Sequence, residues 1–108
     1  MKTLKFTPEN LRRHLRFSPY VITTARDEQK VSLEDLIWVD GCKWEVTDIS
    51  AVPTVYRDLI NRHCVRGCGF GNPEEFWAEI ERCYGEIPKT LWFIELTRIT
   101  PQSEMNEK

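Results

Sequence analysis

The stretch from Arg66 to Ile99, RGCGFGNPEEFWAEIERCYGEIPKTLWFIELTRI, leaves the backbone fewer choices than any other part of this chain. Arg66 to Gly71 is glycine-rich and reads as a loop, with glycines that permit a tight turn or a close backbone approach. Asn72 then stands as an N-cap, Pro73 as the first helical residue and Glu75 at N3, a variant of the capping box. Phe76, Trp77, Ile80 and Tyr84 recur at helical spacing, so one face of a short helix is apolar. Gly85 falls where a left-handed C-cap belongs, and Pro88 forbids continuation. Leu91 to Ile99, rich in aromatic and β-branched residues, reads as a strand.

The remainder follows in order. Lys2 to Phe6 is a candidate strand. Thr7 and Pro8 open a helix expected to run to about Leu15, with Leu11 and Leu15 on one face and Arg12, Arg13 and Arg16 elsewhere. Ser18-Pro19 ends it. Tyr20 to Arg26 has strand composition, Asp27 to Lys30 is a polar turn, and Ser32 to Asp35 is a connector. Leu36 to Val39 and Cys42 to Ile49 flank Asp40-Gly41, a strong hairpin signal. In the second of these runs Trp44, Val46 and Asp48 alternate against Lys43, Glu45 and Thr47. Pro53 breaks the strand, Thr54 to about His63 is a candidate helix, and 101–108 is a polar tail expected to be disordered. Strands dominate the middle and helices are inserted rather than alternating. That argues for one α+β domain over residues 1–100 with a curled, mostly antiparallel sheet.

A chain of 108 residues is the size of one domain, and no apolar run approaches a membrane span of ~20 residues. The start, MKTLKFTPEN, lacks the apolar core of a signal peptide, so a cytoplasmic protein with free thiols is expected. The net charge of −2 supplies no global attraction to nucleic acid. Binding of that kind needs a local patch, and Arg12, Arg13, Arg16, Arg26, Arg57, Arg62 and Arg66 supply the material. Arginine suits phosphate because its planar fork donates paired hydrogen bonds. Phe17, Tyr20, Tyr56 and Phe70 lie near these arginines in sequence and suit base stacking. On the residues alone, the same arginines read as a solvated surface balanced by the acids.

His63, Cys64 and Cys68, with Cys42 and Cys83, have the donor types of a zinc site but not its spacing, so no metal is expected. Buried free cysteines are the simpler account. His63 reads as a helix-end residue and His14 as a surface one. Glu74 and Glu75 are adjacent, point in different directions and act as first-turn acids. No triad order, phosphate loop or HExxH motif is present, and no cofactor is expected.

The set Gly69, Phe70, Pro73, Glu74, Glu75, Phe76, Trp77, Tyr84, Gly85, Ile94, Glu95 and Leu96 resembles the C-terminal half of the ASCH domains, a branch of the PUA-like superfamily of small β-barrels associated with RNA. LKFTPENLRRHL is similar to that family's first strand and helix, and Ile22 to Arg26 to its second strand. The resemblance implies a small PUA-like barrel with two or three inserted helices, and a pocket lined by Thr24, Arg26, Arg66 and Phe70 beside Tyr20. Family members that hydrolyse N4-acetylcytidine use a lysine, a threonine and a glutamate. Here the threonine matches Thr24, the lysine position holds Val21, and the glutamate position falls at Gly67 or Cys68. The resemblance therefore implies binding of RNA or a nucleotide-like ligand without the full hydrolase set. Two further alternatives are a divergent amidohydrolase using Thr24 on a modified nucleoside, and a module for a protein partner, for which Trp38, Trp44, Trp77 and Trp92 supply surface.

Overall fold

The computed structural model describes residues 4–39, 41–63 and 66–99, without the side chains of His63 and Arg66. Helix α1 spans Pro8–Phe17, and four strands follow as β1 (Val21–Arg26), β2 (Leu36–Val39), β3 (Cys42–Pro53) and β4 (Thr90–Arg98). Between β3 and β4 lie α2 (Arg57–His63), a 3₁₀ turn (Arg66–Cys68) and α3 (Pro73–Tyr84).

The helix ends form as local chemistry dictates. Thr7 Oγ1 accepts from Asn10 N at 3.1 Å, and Pro8 stands where no N–H is needed. Asn72 Oδ1 accepts from Glu75 N at 2.9 Å, while the Asn72 side-chain amide donates to the Glu75 carboxylate at 3.0 Å. Gly85, at φ 80°, closes α3 by donating to Glu81 O at 2.8 Å. Helix α1 runs two residues past Leu15, to Phe17, before Ser18 turns extended.

The four strands form one antiparallel sheet in the order β1-β4-β3-β2, so the domain is α+β. Among the described residues no ladder joins β1 to β2, and the sheet is open there. Lys2 lies outside the described residues, and 4–6 form no strand, contrary to expectation. The backbone there is held by a side chain instead of a ladder: Lys5 O accepts from Arg26 Nη2 at 2.9 Å. Asp40 lies outside the described residues, and Gly41 takes φ 79° at the turn from β2 to β3.

Strand β3 carries a bulge between Val46 and Asp48. One extra residue reverses which face each later side chain meets. Asp48 therefore does not continue the Trp44–Val46 face; Ile49 does, opposite Ile94. The bulge also lets one long strand serve two cores. Ile22, Ile37, Trp44, Val46, Ile94 and Leu96 pack on one face of the sheet, under Leu11 and Leu15 of α1. Leu91 and Phe93, with Val52 beside them, pack on the other face against Ile60, Phe76 and Ile80. Helix α1 covers one face, α2 and α3 cover the other, and β1 lies at the sheet edge where the two coverings meet. No helix among the described residues is long and apolar enough to cross a membrane.

Candidate functional site

A cleft of about 200 Å³ opens at the β1 edge, between α1 on one side and the 3₁₀ turn and α3 on the other. Arg13, His14, Thr24, Arg26, Phe70 and Glu79 contribute to its walls. Alternation along β1 sets Ile22, Thr24 and Arg26 on one face. Ile22 reaches the core; Thr24, 5% exposed, sits next to it; Arg26 reaches the rim.

Arg26 is held from two sides. Its Nε donates to Thr24 Oγ1 at 3.0 Å and its Nη2 to Lys5 O. Its guanidinium carbon lies 4.8 Å from the centre of the Phe6 ring, within cation–π range. Because Thr24 Oγ1 accepts from Arg26, the threonine keeps its own O–H to donate. Burial pushes the Arg26 pKa down, opposed by the weaker influence of Tyr84 and other groups.

Arg13 occupies the opposite wall. Its Nη1 donates to Asn10 Oδ1 at 2.6 Å and its Nε weakly to Cys68 O at 3.5 Å. Its guanidinium carbon lies 3.8 Å from the Phe70 ring centre. Burial lowers this pKa too, with Glu79 as the strongest opposing charge. Among the described residues neither Arg13 nor Arg26 pairs with a carboxylate within ion-pair distance. Each guanidinium carries five N–H donors, so both retain unused donors beside the cleft.

Glu79 is committed elsewhere. Arg82 donates to it through two nitrogens, Asn10 Nδ2 at 3.0 Å and Cys83 Sγ at 3.4 Å. Its pKa falls to about 2, chiefly through Arg82, and a carboxylate that acidic is a weak proton acceptor at neutral pH. Cys83 is exposed on α3, not buried as expected, and partial desolvation of its thiol pushes the pKa up, away from thiolate chemistry.

Of the expected site residues, Thr24, Arg26 and Phe70 meet at this cleft. One face of the Phe70 ring is taken by Arg13, and the ring stands edge-on to Phe76 at 5.5 Å. Tyr20 precedes β1, is 59% exposed and does not line the cleft. The Arg66 side chain lies outside the described residues, as do Cys64 and the His63 side chain. Val21 is on the opposite face of β1 from Thr24 and pairs with Thr97. Gly67 faces Thr23, whose hydroxyl would lie 3.4 Å from an added Cβ, and Cys68 is buried on the cleft wall. Cys42 lies apart on β3, and among the described residues no group of three potential metal ligands gathers. The tryptophans disperse: Trp44 is in the core, Trp38 is half-exposed on β2, and Trp77 donates to Asn61 Oδ1 at 2.7 Å under Arg57.

His14 corrects the sequence expectation. It is 4% exposed and lines the cleft. The signal lay in the spacing, since it follows Leu11 by three positions and adjoins Leu15 on the face turned to the sheet. Arg13, one of the arginines expected to supply a basic patch, lines the cleft; Asn10 and Glu79 join the site with no local signal, because they meet across 69 positions of sequence.

Comparison with known proteins returns no match: no family model fits the chain, and neither a curated protein nor a solved structure matches it.

Proposed function

We propose that this chain binds a nucleotide-like ligand, free or as one nucleotide of an RNA, in the cleft between α1, β1 and α3, and does not turn it over. The observation that carries the proposal is the convergence of Arg13 and Arg26 on one small cleft, neither paired with a carboxylate among the described residues, on either side of a buried threonine hydroxyl. Desolvating two cations that have no carboxylate within ion-pair distance is costly unless an anionic or strongly accepting ligand repays it. Aromatic walls from Phe6, Phe70 and Tyr84 suit a planar ring. The ASCH resemblance supports the same proposal, since its second-strand segment supplies Thr24 and Arg26. A PUA-like barrel is the fold that goes with it, supported by the antiparallel order and the helix preceding β1. The free thiols of Cys42 and Cys83 suit a reducing cytoplasm.

Turnover by Thr24 is disfavoured on the same geometry. The side-chain partner of Thr24 is the guanidinium of Arg26, which cannot take its proton, and Glu79 is held by three other donors.

The test is an amide NMR titration with the four ribonucleoside monophosphates and a short single-stranded RNA, repeated across salt concentration. Saturable shifts at Arg13, Thr24 and Arg26, and an RNA affinity falling with salt by a slope of ~0.7 per phosphate contact, are expected. Silence with every probe removes the proposal. Shifts confined to the exposed Val55, Tyr56 and Leu59 would redirect attention to a protein-facing surface.

A further inference from the structure

We propose that His14 is a specificity-determining residue of the cleft, hydrogen-bonding the edge of the ligand's base, so that the base and not the phosphate lies beside it. This rests on the nucleotide-like reading above and adds to it the residue that reads the ligand and the orientation in which the ligand enters.

Native folds pair buried polar groups, and an exception asks for a reason. His14 comes close to such an exception: it is 4% exposed, and neither ring nitrogen has a hydrogen-bond partner among the described residues. Its ring meets Phe6 edge-on at 5.7 Å, an apolar contact that satisfies neither nitrogen. Among the described residues the polar side-chain atom both sealed off and unpartnered is Trp44 Nε1. The His14 nitrogens therefore still reach open space, and the open space His14 lines is the cleft. An unsatisfied, nearly buried imidazole at the wall of a cleft is a group able to take a partner from a ligand.

Its surroundings select the partner. Burial, and after it the charges of Arg13 and Arg26, lower its pKa to about 4. At neutral pH it is an uncharged ring with one N–H donor and one bare nitrogen acceptor. A nucleobase edge presents donors and acceptors side by side and can answer both. A phosphate presents acceptors alone, and the bare nitrogen would face its negative oxygens. Phosphate is left to the unused N–H groups of Arg13 and Arg26. The free Thr24 O–H, on the same wall as Arg26, provides a further donor for a base carbonyl.

Two substitutions and one spectrum test this. His14→Phe keeps the ring and removes both hydrogen-bonding atoms; His14→Gln keeps one donor and one acceptor. The probes are cytidine, uridine, adenosine and guanosine, their monophosphates, and inorganic phosphate. At least one nucleoside should move the His14 ring ¹⁵N signals of the wild-type protein, and phosphate alone should not. His14→Phe should bind that nucleoside about tenfold more weakly, the size of one hydrogen bond lost at a desolvated site, and His14→Gln should lose less. The proposal is overturned if a nucleotide binds while the His14 ring signals stay still, or if His14→Phe binds as the wild type does. Either result leaves nucleotide binding at the cleft standing. Absence of binding by every nucleoside and nucleotide overturns both. If His14→Phe does not fold, the wild-type ring spectrum and His14→Gln decide.

Discussion

Replacing Arg26 by methionine separates what this residue does for a ligand from what it does for the fold. The substitution removes two hydrogen bonds from a charged donor, to Thr24 Oγ1 and Lys5 O, and the contact over Phe6. Bonds of that type contribute about 1.5–3 kcal/mol each, and the ring contact about 0.5–2 kcal/mol. Opposing them is the desolvation of the guanidinium, several kcal/mol for a buried ion, with no carboxylate to repay it among the described residues. Burial is the largest cause of the lowered Arg26 pKa, so this desolvation offsets much of what the bonds contribute. Methionine fills the volume of the arginine stem and opens no cavity. The expected net change is within about 1 kcal/mol of zero, a shift in melting temperature of no more than ~5 °C for a domain of this size. Calorimetry or urea denaturation measures it, and the nucleotide titration on the same sample should show binding lost. A fall in melting temperature beyond ~10 °C would refute the reasoning, because Arg26 would then be holding the fold together and its place in the cleft would need no ligand to explain it.

Three further outcomes follow from single positions. Gly69 has φ +85°, and an added Cβ would lie 3.3 Å from Arg13 O and 3.5 Å from Phe17 Cβ, so Gly69→Ala should destabilise by at least ~1–2 kcal/mol in urea denaturation. A neutral result would mean that the turn does not press on α1. Trp44→Phe should change stability by only about 1 kcal/mol, because the lost apolar area is offset by removing a buried N–H with no partner; a loss above ~3 kcal/mol would show that the indole nitrogen is satisfied in solution. The His14 pKa of about 4 lies below its ordinary 6.5, so between those values the unfolded chain takes up a proton that the folded chain refuses. Stability is then fully present above pH 6.5 and falls as the pH drops toward 4, by ~3 kcal/mol from this group. Denaturation of wild type and His14→Gln at both ends of that window should show a difference of that order, and parallel curves would refute it.

Features of this chain that are set within three or four residues are legible in the amino-acid sequence. Thr7-Pro8 and Asn72-Pro73 open helices because an N-cap oxygen and a missing N–H act on the next turn alone. Gly85 closes α3 because only the backbone conformation at that residue matters. Strand alternation likewise places Thr24 and Arg26 on one face of β1, whichever strand pairs with it.

What no local pattern carries is which strand lies at the edge. The order β1-β4-β3-β2 leaves β1 open on one side, and that opening allows α1 and α3 to meet around it, bringing Asn10 to Glu79 and Arg13 to Phe70. The bulge after Val46, which reverses the faces of β3, and the Lys5 carbonyl held by Arg26 are decisions of the same kind. So is the burial of His14, whose helical face is visible in the spacing but whose place on a cleft wall exists only once α3 packs across from it. The sequence by itself determined the capped helices, the strand faces and an α+β class. The tertiary structure alone determined which arginines converge and which histidine lacks a partner, because both depend on contacts between residues far apart in the chain, and such contacts are set by strand order and packing.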